Sequence, residues 1–247
     1  NIFGYFLKRA VLYSQRIICI SKTVETSLLS FYSAAENKTC VIYRFIDEKF
    51  MSNEFTKPII PGSYVLFVGS RKKHKNLGML IKSFNNIKRI VPHNLVIAGS
   101  KESDFDEIDD LKEILHLKDR IIEVLSPDDN TIINLYHYAD LFVFPSLYEG
   151  FGLPPLEAIS LRCPVILADI PVLKEIFNDT VLYFNPLSEN DMANKMLSVL
   201  QNSNIRENLI KMEENRLTFF NKNVIINQHI ELFKKVARGQ NNEDSLA

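Results

Sequence analysis

Eight short apolar, β-rich runs recur along the chain: Ile17–Ile20, Val41–Tyr43, Val65–Val68, Leu95–Ala98, Ile121–Leu125, Leu141–Phe144, Val165–Ala168 and Val181–Phe184. They are nearly continuous in apolar character, not alternating. Strands of that kind are covered on both faces, as in a parallel sheet between helical layers. Helical stripes lie between them. Leu77, Leu80, Ile81, Phe84 and Ile87 share one face behind Asn76, a residue suited to an N-cap. Ile108, Leu111, Ile114 and Leu115 form a second stripe. Ile132, Ile133, Leu135 and Tyr136 follow the caps Asp128 and Asp129, and Ser188-x-x-Asp191 opens a helix carrying Met192, Met196 and Val199. Strand and helix alternating at this spacing predict an α/β domain with a doubly wound parallel sheet.

The stretch from Asn53 to Pro58, with Pro61-Gly62, is rich in turn formers, and a fresh strand starts at Tyr64. The expected division is therefore 1–50, a linker over 51–62, a main domain over 63–220, and a final helix with a polar tail over 221–247. Residues 1–50 have room for two strands and about two helices, too little for an independent domain. They are expected to close a larger domain that is missing here. The absence of an initiator Met at Asn1 agrees with a fragment or a processed product.

The chain has only eight glycines, so their places inform. Gly69 follows the run Val65–Val68, Gly99 follows Leu95–Ala98, and Gly150 and Gly152 follow Leu141–Phe144 and its Pro145-Ser146 turn. In open α/β sheets the carboxyl ends of the strands are where ligands bind. A single glycine there is ordinarily only a tight turn; the Gly150/Gly152 pair is more. Within Glu149-Gly-Phe-Gly-Leu-Pro-Pro-Leu-Glu157, the two prolines suit a first helical turn and the glycines admit a ligand close to the backbone. The free amides of the helix start suit an anion such as a pyrophosphate. Glu149 then precedes the helix and Glu157 stands about one turn inside it, so two carboxylates are staged along one ligand.

Composition excludes several classes. Net charge is −1 with 24% charged residues, which gives no footprint for nucleic acid. No apolar run approaches the ~20 residues of a membrane span, and the first residues lack the order of a signal peptide. Cys19, Cys40 and Cys163 are odd in number and far apart, so they are read as reduced thiols of a cytoplasmic protein and not as a disulfide framework or zinc site. The five histidines show no ligand spacing, and no Walker, Gly-x-Ser-x-Gly or Gly-x-Gly-x-x-Gly pattern occurs. Asp104-Phe105-Asp106 is read as the acidic start of a helix over Glu107–Leu117, not as a metal site.

Taken together, Ser146-Leu-Tyr-Glu-Gly-Phe-Gly-Leu-Pro-Pro-Leu-Glu-Ala158, Val68-Gly-Ser-Arg-Lys-Lys-His-Lys-Asn-Leu77, Tyr138-Ala-Asp-Leu-Phe-Val-Phe-Pro-Ser146, Cys163-Pro-Val-Ile166 and Tyr183-Phe-Asn-Pro186 resemble the signature of the family four glycosyltransferases. Ile18-Cys-Ile-Ser-Lys22 and Val41-Ile-Tyr43 resemble the close of that family's N-terminal domain, and Phe219–Val236 its final helix, so the likeness covers nearly the whole chain. The resemblance implies the GT-B fold, with a Rossmann-like C-terminal domain that binds a nucleotide-sugar donor and transfers the sugar with retention. It places Arg71 and Lys75 on the donor diphosphate and Glu149 on the transferred sugar. It puts Gly69, Ser70, Gly150 and the amides of Phe151, Gly152 and Leu153 around sugar and phosphate, Glu157 on the ribose, and Leu125 and Ser126 by the base. No metal or other cofactor is implied. The implied partners are the nucleotide-sugar donor, a glycan or lipid-linked acceptor and the missing N-terminal half, with a cytoplasmic location or a peripheral one at the membrane face. Two departures stand out: Arg162 where the family favours Gly, and Arg44-Phe45 where it favours Asn-Gly near the hinge. The alternative is a nucleotide-sugar-binding module, or the subunit of a split enzyme, without turnover of its own.

Overall fold

The computed structural model describes residues 2–51, 55, 57–101 and 107–239. Asp104-Phe105-Asp106, Asn53-Glu54 and the tail beyond Gly239 lie outside the described residues. The chain runs α1 (Ile2–Tyr13), β1 (Ile17–Cys19), α2 (Lys22–Phe31), β2 (Thr39–Val41), β3 (Tyr64–Val68), α3 (Leu77–Ile87), β4 (Asn94–Gly99), α4 (Glu107–Ile114), β5 (Ile121–Leu125), α5 (Asp129–Tyr138), β6 (Leu141–Phe144), α6 (Leu153–Ser160), β7 (Val165–Ala168), α7 (Pro171–Phe177), β8 (Leu182–Phe184), α8 (Glu189–Leu200), α9 (Ser203–Leu217) and α10 (Lys222–Ala237). Two compact units result: Asn1–Phe45 with Phe219–Ala247, and Ile46–Thr218.

In the smaller unit β1 and β2 pair in parallel, Ile17 opposite Thr39 and Cys19 opposite Val41. The second strand thus starts ahead of its apolar run, and Ile42 prolongs the pairing by donating to the Cys19 carbonyl. The crossover α2 is capped by Ser21, whose hydroxyl accepts from the Val24 amide at 3.1 Å. The Asn221 side chain caps α10 in the same way, accepting from Asn223 and Val224 amides.

The larger unit is built on a six-stranded sheet in the order β5-β4-β3-β6-β7-β8, every neighbouring pair parallel. Its central strands are buried throughout from Tyr64 to Phe67, Leu95 to Ala98, Leu141 to Phe144 and Val165 to Ala168, which is why their sequences do not alternate. Both polar ends of Tyr64 are satisfied: its amide donates to Asp140 and its hydroxyl to the Leu135 carbonyl, at 3.2 and 2.8 Å. Asp128 and Ser188 cap α5 and α8, accepting from the Thr131 and Asp191 amides at 2.8 and 3.2 Å. Asn76 does not cap α3. It sits at φ 57°, ψ 31° in the left-handed region, and its side chain is used elsewhere. Cys19 and Cys163 are buried thiols and Cys40 is half-buried.

Candidate functional site

Taken from its own first strand, the large sheet has the order 3-2-1-4-5-6, two parallel α/β halves joined where the winding reverses. The reversal lies between β3 and β6. Their ladder pairs Val65 with Leu141 and Leu66 with Phe142 only, although the strands run on to Val68 and Phe144. Beyond the ladder the two strands are free to part, and the loops Gly69–Asn76 and Pro145–Gly152 leave from the two sides of the opening.

Those loops are tied together. The Leu147 amide donates to the His74 carbonyl at 2.8 Å. Asn76 donates through Nδ2 to the Pro145 carbonyl at 3.2 Å and the Pro186 carbonyl at 2.9 Å, joining the loops after β3, β6 and β8. Beside this clasp Lys75 Nζ lies 2.6 Å from Glu149 Oε1, with 17% and 15% of the two side chains exposed. The same ammonium stands 5.5 Å from the Phe144 ring centroid. Partial burial spares this pair most of the screening that weakens surface ion pairs.

Glycine is required where the loops start. A Cβ on Gly99, at φ 144°, would lie 2.0 Å from the Gly69 carbonyl oxygen, while the Gly69 amide donates to Ala98. Next in the stack, Ser126 adopts φ 47° and donates its amide to the Gly99 carbonyl at 3.1 Å; Leu125 before it is exposed. Gly152, at φ 112°, stands at the start of α6, where a Cβ would meet Leu173 at 3.0 Å and Phe177 at 3.3 Å. Phe151 is buried beside it. The prolines Pro154 and Pro155 fall within the first turn of α6, and Glu157 lies one turn in.

Arg71 and Lys75 hold different carboxylates. Arg71, only 3% exposed, donates through Nη2 to Glu123 Oε2 at 2.7 Å. The other oxygen of Glu123 takes Lys112, which also meets Asp109 at 2.8 Å. Lys101 reaches Asp109 at 2.6 Å, and the hydrogen bonds from Lys101 and Lys112 pull the Asp109 carboxyl down to about 2. Sequence reasoning missed Glu123; its signal was a carboxylate inside the apolar strand Ile121–Leu125. A cleft of about 770 Å³ opens beside Arg71, lined by Lys72, Lys73, Lys82, Met79 and Leu111 among others, but not by Lys75 or Glu149.

Glu157 is half-buried, and burial pushes its carboxyl upward, against the hydrogen bond that Tyr136 donates to Oε2 at 3.3 Å and the Lys49 cation. Lys49 itself is held by Asp129 at 2.7 Å. The helical stripe accounts for the burial of Tyr136 and gives no sign of this contact. Among the described residues no group of three or more His, Cys, Asp or Glu is placed to hold a metal ion.

Residues 53–216 match the family model described as glycosyl transferases group 1. The O-antigen chain mannosyltransferase RfbU of Salmonella typhimurium is 30% identical over 201 residues, which make up 81% of this chain and 55% of that protein. The chain spans about half the length of the curated relatives it matches. The sucrose-phosphate synthase from Thermosynechococcus elongatus superposes with a TM-score of 0.80 at 22% identity, over 94% of this chain and 61% of that one. Anabaena HepE, solved with UDP and glucose, gives 0.78 at 19% identity, over 92% and 65%. At such identities the likeness shows the fold, that of the GT-B glycosyltransferases.

Proposed function

This chain belongs to the glycosyl transferases group 1 family, and from that premise we propose that it holds the donor half of the active site of a retaining glycosyltransferase. The observation that carries the reading is the Lys75–Glu149 pair at 2.6 Å, standing where the loops after β3 and β6 leave the reversal of the sheet. A nucleoside diphosphate-sugar laid across that opening puts its diphosphate by Lys75, Arg71 and the amides at the start of α6, and its sugar by Glu149. The diphosphate leaves with growing negative charge. Lys75 as a point charge and Arg71 as a planar fork offset that charge most in the transition state, which is where an interaction accelerates transfer.

In this reading no metal takes part, because the cations and the helix amides do its electrostatic work. No side chain serves as nucleophile; the acceptor hydroxyl attacks from the face the diphosphate leaves, and the departing phosphate takes its proton. Glu149 orients hydroxyls of the sugar, Glu157 holds the ribose, Gly69, Ser70 and Gly150 line the phosphates, and Leu125 and Ser126 border the base. The name of the Salmonella relative favours a hexose such as mannose and a glycan acceptor, free or lipid-linked. The acceptor site belongs to an N-terminal half of the enzyme. A cytoplasmic place, or a peripheral one at the membrane face, belongs to the same reading; among the described residues no helix is long and apolar enough to cross a membrane.

Titration calorimetry of this chain with GDP-mannose and UDP-glucose tests the proposal. Binding of one sugar nucleotide without added metal is expected; a folded protein that binds neither overturns it. The second reading is a nucleotide-sugar-binding module without turnover of its own. Transfer restored by adding the N-terminal half of a relative would decide against it.

A further inference from the structure

We propose that Tyr136 is a positioning residue of the donor site: its hydroxyl holds one oxygen of Glu157 so that the carboxylate presents the other to the ribose hydroxyls of a nucleoside diphosphate. The inference rests on the reading of Glu157 as the ribose-binding group.

The Tyr136 ring is completely buried and cannot turn away. Its neighbours are aromatic edges: Phe142 at 5.3 Å and 77°, Phe50 at 6.4 Å and 70°. A buried phenol needs a partner for its hydroxyl. The two deeply buried tyrosines of this unit solve that need differently. Tyr64 donates to a backbone carbonyl, that of Leu135, which is a purely structural answer. Tyr136, the next residue along the chain from Leu135, donates instead to Glu157 Oε2 at 3.3 Å. Glu157 stands on α6, whose first residues form the start of the candidate phosphate site. Its second oxygen, Oε1, accepts no hydrogen bond from any described residue. One oxygen is therefore anchored from the core and the other is left for a ligand.

The anchor also bears on protonation. The groups that face Glu157 are Tyr136 and Asp129 from α5, and Lys49 and Asp47 from the segment ahead of the linker. Burial raises the carboxyl, Asp129 and Asp47 add to this, and the Tyr136 hydrogen bond and Lys49 oppose it. Without the phenol, Glu157 takes up a proton at higher pH, and a protonated acid is a poorer acceptor for a ribose hydroxyl.

The test uses this chain with UDP and GDP and their 2′,3′-dideoxy counterparts. Tyr136→Phe keeps the ring packing, and its melting transition checks the fold. For the diphosphate that the wild type binds, Tyr136→Phe should lose about fivefold to tenfold in affinity, the scale of one ordinary hydrogen bond. Affinity for the dideoxy compound should stay unchanged, so the preference for ribose collapses. The acid limb of the binding profile should move to higher pH. In Glu157→Gln both the preference and the limb should vanish, and Tyr136→Phe added to it should cost nothing more. If Tyr136→Phe leaves the ribose preference and the acid limb in place, Tyr136 is only core and the inference is overturned while the donor-site reading stands. If the wild type binds neither diphosphate, both fail together.

Discussion

Lys75 Nζ lies 2.6 Å from Glu149 Oε1, so the cation proposed for the diphosphate and the carboxylate proposed for the sugar form one ion pair. On the proposed reading, a donor entering this site meets neutralised charge and takes each partner for a different part of itself.

That division of labour is testable. Lys75→Ala removes the cation and leaves Glu149 facing the phosphates alone. Nucleoside diphosphate affinity should fall about 10- to 100-fold, the worth of a charge-assisted contact. Glu149→Gln should leave the diphosphate within about threefold of wild type while the sugar nucleotide loses about tenfold. Calorimetric titration of both variants with GDP and GDP-mannose, or UDP and UDP-glucose, reads the contrast. Equal losses of the bare diphosphate in the two variants would sink the assignment.

Asn76 serves two purposes that two substitutions separate. It occupies the left-handed region at φ 57° and clasps the Pro145 and Pro186 carbonyls. Asn76→Gly loses the clasp and keeps the backbone, at about 1–2 kcal/mol for the hydrogen bonds. Asn76→Ala loses the clasp and adds left-handed strain, and should be less stable than the glycine variant by about 0.5–1 kcal/mol. Urea denaturation measures both.

Asn76 also shows where sequence reading stops. Its place before a helical stripe predicts an N-cap by a local rule, but carbonyls 69 and 110 residues away claim the side chain. The sheet was readable because a parallel strand buried on two faces has to be apolar, and each apolar run meets a strand of the structure. The turns at Gly69, Gly99 and Gly152 were readable because their backbones need glycine. Side-chain partners across the sheet were not. Glu123 showed only as a carboxylate in an apolar strand, and its pairing with Arg71 follows from the packing of β5 beside β4 and β4 beside β3. The stripe of α5 predicts that Tyr136 is buried, as it is, while nothing in the sequence marks Glu157 as the partner of its hydroxyl.

Glu213 gives a pH signature remote from the donor site. Its Oε1 accepts from the Val165 amide at 2.9 Å, and its Oε2 has no hydrogen-bond partner among the described residues. Burial raises the carboxyl well above its ordinary 4.5, with the Val165 amide opposing and Glu214 adding a little. A folded-state value above the unfolded one means that the contribution is fully present below pH 4.5 and is lost as pH rises through the folded value. Glu213→Gln keeps an acceptor for Val165 and removes the titration. Urea midpoints followed from pH 4.5 upward should show the wild type losing ground steadily to this variant. A constant gap would mean that Glu213 does not titrate against burial.

Arg162 stands at φ 62° just past α6, with its amide donating to the Ile159 carbonyl at 3.0 Å. That is the left-handed position at a helix end where glycine is favoured. The side chain meets Glu214 at 2.7 Å, the two being 67% and 38% exposed. Ion pairs so exposed contribute little. Arg162→Ala removes the pair and keeps the strained Cβ, so stability should move by less than about 0.5 kcal/mol. Arg162→Gly also releases the left-handed strain, about 1–2 kcal/mol, less the about 0.4–1 kcal/mol that glycine's freedom adds to the unfolded chain. The net expectation is a gain of about 0.5–1 kcal/mol over wild type, visible as a higher urea midpoint. Donor affinity should not change, because Gly152 and the candidate phosphate site lie at the opposite end of the helix. A glycine variant less stable than the alanine variant would show that the left-handed turn costs this chain nothing.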